Sequence, residues 1–141
     1  MQILKQKGLI PRLHLTVSKD NPFVREIVQA IGEGIRIENH GIMPFVQLAE
    51  VYGQCKATVY PSINESLGLG LIEAVEAGCD VIVSDLPFAH AICKPSELFV
   101  RRTSEEIADA IMRYEKGVSP KSELTIHNCI EELLDLMTEN C

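Results

Sequence analysis

A strand-like run leads straight into a glycine-containing loop and a helix near the middle of the chain, and this succession constrains the fold more than any other feature. Residues 57–60 have strand character, Gly68 and Gly70 follow, and residues 71–77 favour a helix. Free backbone N–H groups and the positive end of the helix dipole attract anions such as phosphate at a turn of this kind. The sequence therefore predicts an anion-binding turn between a strand and a helix.

Two carboxylates bracket this turn. Glu65 lies in the loop before the helix, and Glu73 lies about one turn inside it. Helical side chains tilt toward the N-terminus of their helix, so both carboxylates are expected to line the space above the turn. Taken singly, each glutamate is more simply a solvated surface residue. Together with the glycines, the pair favours a site for a sugar nucleotide, whose hydroxyls both carboxylates can bind.

Strand and helix signals alternate along the whole chain. Strands are predicted at residues 13–17, 35–38, 57–60, 80–84 and 98–100. Helices are predicted at residues 2–7, 44–53, 71–77 and 87–92. Two more are predicted from their N-terminal signals: one begins at Pro22 after an Asn21 N-cap, and one begins after a Thr103/Glu106 capping box. A last helix is predicted from the apolar stripe of Ile130, Leu133, Leu134 and Met137.

This alternation predicts the α/β class, with one Rossmann-like three-layer domain spanning residues 1–141 and a mainly parallel sheet covered by helices on both faces. Ligands bind beyond the carboxyl ends of the strands in such sheets. The loops expected at that edge are residues 18–21, 39–43, 61–68 and 85–87.

Composition excludes several functional classes. A formal net charge of -7 disfavours a nucleic-acid partner, and no apolar run is long enough for a membrane span or a signal peptide, so a cytoplasmic location is expected. The cysteines show no Cys-x-x-Cys pair, and the histidines show no helical metal spacing with them. Reduced thiols and no metal site are therefore expected. The cysteines are Cys55, Cys79, Cys93, Cys129 and Cys141, and the histidines are His14, His40, His90 and His127.

The central segment carries a family resemblance. Pro61-Ser62, Glu65, Gly68-Leu69, Glu73-Ala74 and Ala77-Gly78 resemble the signature of retaining glycosyltransferases of the GT-B fold, family four. Similarity continues through residues 81–87 and 105–111, so it covers roughly residues 35 to 115 in order. The resemblance implies that this chain is half of a GT-B fold, namely its nucleotide-sugar-binding C-terminal domain.

The resemblance also implies roles for individual residues. Glu65 is expected to contact the transferred sugar as the catalytic carboxylate, and Glu73 to hold the ribose hydroxyls. A second group would bind the nucleotide through the backbone. It comprises Gly41 and Ile42 at the base, with Ser66, Leu67, Gly68 and Leu69 at the diphosphate and sugar oxygens. No metal or cofactor is expected, because the substrate is itself a UDP-, GDP- or ADP-sugar. From the residues alone, His40 is expected to be a solvated loop imidazole.

The sequence departs from the family pattern in the basic residues expected near the start of the domain and at a few signature positions. The family places an Arg and a Lys-Gly near the start of this domain, and Lys7-Gly8 is interpreted as a chance match because it ends a helix. Leu67 replaces the usual Phe, and Cys79-Asp80 replaces the usual Pro-containing pair. The N-terminal part of the domain and the acceptor domain are therefore expected to be missing. An N-terminal acceptor-binding domain or partner chain would supply them, with peripheral membrane contact through that part.

Three functions remain open from the sequence. The first is the donor-binding half of a retaining glycosyltransferase that transfers a sugar to a glycan or lipid-linked acceptor in polysaccharide synthesis. The second is a GT-B relative with other chemistry, such as a sugar-nucleotide epimerase or a glycan phosphorylase. The third is a non-catalytic binding or assembly subunit of a split glycosyltransferase, since one half cannot assemble the whole site.

Overall fold

A computed structural model describes residues 1–126, and the predicted last helix at residues 130–137, with His127, Cys129 and Cys141, lies outside them. The helices are α1 Gln2–Gln6, α2 Val24–Gly32, α3 Phe45–Gln54, α4 Leu69–Glu76, α5 Pro87–Ile92 and α6 Ser104–Glu115. The strands are β1 Leu13–Leu15, β2 Ile37–Asn39, β3 Ala57–Tyr60, β4 Asp80–Ser84, β5 Cys93–Lys94, β6 Glu97–Phe99 and β7 Glu123–Leu124.

The strands are mainly parallel, which confirms the predicted α/β class. β1 pairs with β2, and β3, β4 and β6 form a second ladder in that order; every pair in these two ladders is parallel. β5 and β7 form a short antiparallel pair that the sequence did not predict. All the parallel strands are joined by helical crossovers, so their carboxyl ends and the loops that follow meet at one edge of each ladder.

β4 is the centre of the core, and all five of its residues are buried. Val81 and Val83 point toward α4 and α5, where they pack among Leu71, Ala74, Ala89 and Ile92. Ile82 points to the opposite face and packs with Phe99 and Ala110, the latter from α6. Because residues alternate across a strand, this division places helices on both faces of the ladder and gives the three predicted layers.

A cleft interrupts the sheet, where a continuous one was predicted. β1 pairs only with β2 and β3 only with β4 among residues 1–126. Between them lies a cavity of about 820 Å³, called the inter-ladder cleft below. Its edges are residues 13–17 and 57–59, while α3 and α6 cover it from the two sides. The facing edges of β1 and β3 are therefore unpaired among residues 1–126.

Of the two predicted helix N-caps, one forms and one does not. Asn21 does not cap α2: its Oδ1 accepts a hydrogen bond from the Phe23 amide over 3.0 Å, which makes a turn, and the helix begins at Val24. Thr103 does cap α6 through the Glu106 amide over 3.3 Å. The Glu106 carboxylate, however, accepts from the backbone and side chain of Arg101, each over 2.6 Å, instead of completing the capping box.

No helix within residues 1–126 is both long enough and apolar enough to cross a membrane.

Candidate functional site

Gly68 sets the geometry of the turn between β3 and α4. It is the N-cap of α4 and adopts the left-handed conformation, with a φ of 64°. A Cβ at this position would also overlap Ile92 Cδ1, since Gly68 is buried against α5. Backbone conformation and close packing both require glycine here, so the glycine in the predicted turn has a physical reason in the fold.

The backbone amides around Gly68 are available to a ligand. The first amide of this segment with a backbone acceptor is that of Leu71, which donates to Gly68 O over 2.9 Å. The amides of residues 66–70 have no acceptor within the described part of the chain, and no side chain caps the helix. Unpaired N–H groups at a helix N-terminus are able to bind an anion. The anion-binding role of the turn stays a prediction.

Glu65 is held by two hydroxyl groups from the end of β3 and the residues after it. The Tyr60 hydroxyl donates to Glu65 Oε1 over 3.0 Å, and the Ser62 hydroxyl donates to the same oxygen over 2.7 Å. Glu65 Oε2 has no donor among residues 1–126, and the side chain is half-buried. One carboxylate oxygen is thus fixed to the protein, while the other remains able to accept a hydrogen bond from a ligand.

Tyr60 stays protonated in this environment. Burial raises the pKa of Tyr60 to about 12, and the hydrogen bond and negative charge of Glu65 contribute to the rise. Its ring lies against the start of α4, because a Cβ on Gly70 would sit 3.0 Å from Tyr60 Cε2. At neutral pH the phenol is therefore a donor to Glu65 and also packs under the first turn of α4.

Glu73 lies on α4, the helix that follows the turn. It is half-buried and forms no ion pair within residues 1–126. After the larger effect of burial, its negative charge contributes to the raised pKa of both Tyr52 and Tyr60. Glu65 contacts the Tyr60 hydroxyl directly, whereas Glu73 makes no side-chain hydrogen bond within residues 1–126. Their roles toward a ligand stay predictions.

The loop after β2 is fixed to the loop after β1. Asn39 Nδ2 donates to Val17 O, and Val17 N donates to Asn39 Oδ1, both over 2.9 Å. Gly41 follows with a φ of 72°, and Ile42 is 84% exposed. These two predicted base-contact residues lie in the loop after β2, and no hydrogen bond joins them to residues 61–73 within the described chain.

The expectation of a solvated His40 is wrong. Its side chain is only 20% exposed, and its Nε2 lies 2.9 Å from His14 Nδ1. β1 and β2 are in parallel register, and this register brings the two imidazoles together from distant parts of the sequence.

The cationic candidate Lys7-Gly8 lies away from the turn. The Lys7 ammonium pairs with Asp109 of α6, so it is engaged on the opposite layer from α4. Within residues 1–126, neither Glu65 nor Glu73 pairs with a lysine or arginine. The interpretation of Lys7-Gly8 as a chance match is consistent with this position.

The described cysteines are free thiols. Cys79 and Cys93 are buried and Cys55 is half-buried. Burial raises the pKa of all three, in Cys79 to about 12. Such thiols remain protonated at neutral pH and are poor nucleophiles, so none of the three is a candidate for covalent catalysis.

Sequence reasoning missed Tyr60 and the role of Ser62. Tyr60 was interpreted only as a strand residue, and Ser62 only as part of the signature. A usable signal was present, because ligands bind beyond the carboxyl ends of parallel strands and Tyr60 and Ser62 lie at the end of one. Hydroxyl groups a few residues before a loop carboxylate in the sequence are therefore candidates for binding that carboxylate.

Comparisons with known proteins point to one family. The family model described as "Glycosyl transferases group 1" matches residues 1–128. The O-antigen chain mannosyltransferase RfbU of Salmonella typhimurium is 34% identical over 86 residues, which cover 53% of this chain and 24% of that protein. The serotype-specific mannosyltransferase WbdA of Escherichia coli is 33% identical over 81 residues, covering 54% of this chain and 10% of that protein. The chain therefore spans a quarter or less of these relatives.

Proposed function

The chain belongs to the glycosyl transferases group 1 family, and we propose that it is the donor-binding half of a retaining glycosyltransferase with the GT-B fold. Its substrate is a nucleotide sugar linked to UDP, GDP or ADP, and its acceptor is a glycan or a lipid-linked glycan. The two relatives that are named as mannosyltransferases support mannose as the transferred sugar and polysaccharide synthesis as the process.

One observation carries this proposal: the unpaired amides of residues 66–70 lie between two half-buried carboxylates at the start of α4. The amides bind the diphosphate, because they combine hydrogen-bond donors with the positive end of a helix dipole. Glu73 accepts hydrogen bonds from the ribose and Glu65 from the transferred sugar. Gly41 and Ile42 meet the base at the same carboxyl edge of the parallel strands.

Glu65 acts as a fixed acceptor in this proposal. Tyr60 and Ser62 bind its Oε1 and leave Oε2 directed to a sugar hydroxyl. A carboxylate that is already oriented loses less freedom when the substrate binds, and its charge favours positive charge that develops on the sugar as the glycosidic bond breaks. The protonated Tyr60 keeps the carboxylate in place across the neutral pH range.

A second part of the protein is needed for the leaving group. The departing diphosphate gains negative charge, and preorganised cations commonly contribute several kcal/mol to such transition states. Among residues 1–126 no lysine or arginine bonds to residues 61–73. We therefore place these cations, together with the acceptor site, on an N-terminal domain or partner chain.

The inter-ladder cleft supports a partner of this kind. Doubly wound sheets have the strand order 3-2-1-4-5-6, and the order here, β2, β1, cleft, β3, β4 and β6, corresponds to it with one position open. The open position is that of the first strand of the fold. A parallel strand from the N-terminal part of the same domain would pair with both facing edges, and it would place the cation-bearing loop after that strand beside the turn at Gly68.

Nucleotide binding tests the proposal directly. Titration calorimetry of the chain with UDP, GDP and ADP, and with the corresponding nucleotide sugars, should show binding of one base class. Glu73→Ala should abolish that binding, whereas Glu76→Ala, an exposed glutamate on the same helix, should leave it unchanged. The proposal is wrong if neither the chain nor its complex with an N-terminal half binds any of these ligands.

The alternative function, a non-catalytic assembly subunit, predicts a different effect of substituting Glu65. A non-catalytic subunit would form a stable 1:1 complex with an N-terminal half and contribute to folding, yet Glu65→Gln in this chain would leave transfer by the complex unchanged. A donor-binding half requires Glu65, so the same substitution should lower the transfer rate by at least about a hundredfold.

A further inference from the structure

A second cluster of possible ligand groups lies on the β1–β2 ladder, apart from the turn at Gly68. His14, in the middle of β1, is directly opposite Glu38 in β2. His40 follows Glu38 by two residues, so its side chain emerges on the same face of the ladder. Cross-strand neighbours and residues two apart are the closest side chains on one face of a sheet. The register therefore gathers three metal-binding residue types at one place.

The ligand atoms of the three residues are already close together. His14 Nδ1 is 2.9 Å from His40 Nε2, and one atom from each residue lies within 4.8 Å of the other two. The Glu38 carboxylate lies 3.9 Å from His14 Nδ1 and 4.0 Å from His40 Nδ1. The two imidazole rings are nearly parallel, with an interplanar angle of 7° and ring centroids 5.2 Å apart. The present N–N distance is that of one shared hydrogen bond.

Burial favours a defined site over a chance surface cluster. The side chains of His14 and His40 are 18% and 20% exposed, whereas Glu38 is 52% exposed. The two nitrogens are thus held by the ladder, and the carboxylate closes the site from the solvent side. Asn39 fixes the backbone between Glu38 and His40 by its two hydrogen bonds to Val17. Sites built on strands with such support are positioned more accurately than sites on loops.

We propose that His14, Glu38 and His40 bind a divalent late transition-metal ion of the Zn²⁺ class. Zn–N bonds of about 2.0–2.1 Å in a tetrahedral site put neighbouring ligand atoms about 3.3 Å apart. The distance between His14 Nδ1 and His40 Nε2 is 2.9 Å, and that between His14 Nδ1 and Glu38 Oε2 is 3.9 Å, so each pair has to move by about half an ångström to reach this value. Two imidazoles and one carboxylate suit Zn²⁺, Co²⁺ or Ni²⁺ better than Mg²⁺ or Ca²⁺. A water molecule completes the fourth position.

Binding requires two local changes in the metal-free protein. The ion replaces the proton shared by the two imidazoles, so the hydrogen bond between His14 and His40 opens slightly. It also competes with the Arg12 guanidinium, which lies 3.9 Å from Glu38 Oε2. The site stabilises the β1–β2 ladder, since a two-stranded ribbon is only marginally stable by itself and a bound metal fastens both strands.

Metal titration of the untagged, metal-stripped chain tests the proposal. Calorimetry with zinc chloride and elemental analysis after gel filtration should give one ion per chain and a higher unfolding temperature. His14→Asn and His40→Gln should each weaken binding at least about tenfold. His90→Asn should leave it unchanged, because His90 pairs with Asp85 elsewhere.

Cobalt substitution distinguishes metal binding by these three residues from metal binding by cysteine thiols, and circular dichroism identifies variants that fail to fold. Bound Co²⁺ should give visible absorption without a thiolate-to-cobalt charge-transfer band, because the proposed ligands contain no sulfur. Circular dichroism of the metal-free variants shows whether each one folds. Both histidine variants are expected to fold and to bind the metal more weakly. The proposal is overturned if no ion binds, if binding persists in both histidine variants, or if the thiolate band appears.

Discussion

The Tyr60 hydroxyl donates a hydrogen bond to Glu65 Oε1 over 3.0 Å, while the Tyr60 ring lies under the first turn of α4 beside Gly70. One residue at the end of β3 thereby fixes both the loop carboxylate and the helix start that follows it. The end of β3 therefore positions the Glu65 carboxylate and the start of the helix that carries Glu73, the two acidic groups of the proposed donor site.

Removal of the Tyr60 hydroxyl should therefore weaken recognition of the sugar more than that of the nucleotide. In Tyr60→Phe, Glu65 loses a donor whose contribution is about 1.5–3 kcal/mol when the acceptor is charged. We expect nucleotide-sugar affinity to fall about tenfold and nucleoside-diphosphate affinity to change less than about twofold. Calorimetry with both ligands measures the difference. Tyr52→Phe is the control, because the Tyr52 hydroxyl makes no hydrogen bond within residues 1–126.

Equal losses for the two ligands in Tyr60→Phe would contradict this prediction, since they would indicate a general distortion of the turn. Ser62→Ala removes the second donor to Glu65 Oε1 and should act in the same direction.

Substitution of Gly68 should cost stability through two separate effects. An alanine there is strained at a φ of 64° by about 1–2 kcal/mol, and its Cβ overlaps Ile92 Cδ1. Gly78→Ala is a matched control, because Gly78 has a φ of 81° but open space around it. We expect urea unfolding to show a loss for Gly68→Ala that exceeds the control by at least about 1 kcal/mol.

Ile92→Val removes the atom that the new Cβ would overlap. The double variant should therefore lose less stability than the sum of the two single variants. Strictly additive losses would mean that the overlap is relieved by movement of α5 without cost.

The turn at Gly68 was predictable from the sequence because its requirements are local. β3 and the buried strand β4 were predicted with their observed bounds, and the helix predicted at residues 71–77 is observed as Leu69–Glu76. These elements depend on backbone conformation and on hydrophobic periodicity over a few residues, and both are visible in a short window.

The remaining features depend on pairing between distant segments. The cluster of His14, Glu38 and His40 arises from the register of β1 against β2, which no spacing along one helix or strand records. The antiparallel pair of β5 and β7 joins two-residue segments that are too short to carry a strand pattern. The inter-ladder cleft lies where the facing edges of β1 and β3 are unpaired. Which edges are paired depends on the topology of the whole sheet and not on a local sequence pattern.

Asp80 should make stability depend on acid pH. Burial alone would raise its pKa, but hydrogen bonds from the Ser122 amide over 2.9 Å, the Tyr114 hydroxyl over 2.8 Å and the Lys121 ammonium over 3.1 Å lower it overall. A lowered pKa in the folded state means that the carboxylate stabilises the fold above its unfolded pKa. This stabilisation is lost as the pH falls below the ordinary aspartate value of about 3.9.

Asp80→Asn should thus lose about 1.5–3 kcal/mol at neutral pH and flatten the fall in stability between about pH 4 and pH 2. Urea unfolding at several pH values measures both effects. Asp20→Asn, at an exposed loop position, should keep the wild-type pH profile. An unchanged acid slope in Asp80→Asn would assign the acid sensitivity to other carboxylates.

Hydrogen exchange should reveal whether a strand fills the inter-ladder cleft. The Leu13 amide donates to Arg36 O and the His40 amide to Leu15 O, so the backbone N–H and C=O groups of Leu13 and Leu15 point to β2, while those of the intervening His14 point into the cleft. The Asp80 amide donates to Lys56 O, so the backbone groups of Lys56 point to β4. Because successive residues of a strand alternate, the backbone N–H and C=O groups of Val59 point into the cleft.

In the chain alone, the amides of His14 and Val59 should exchange much faster than that of Ile82, which lies in β4 between two paired strands. A complex with the proposed N-terminal half should slow both cleft-facing amides together and leave Ile82 unchanged, because one inserted parallel strand pairs with both edges at once. Protection of only one of the two edges, or equal protection of all three amides in the chain alone, would rule out the insertion. The measurement does not depend on donor binding, so it tests the partner separately from the nucleotide site.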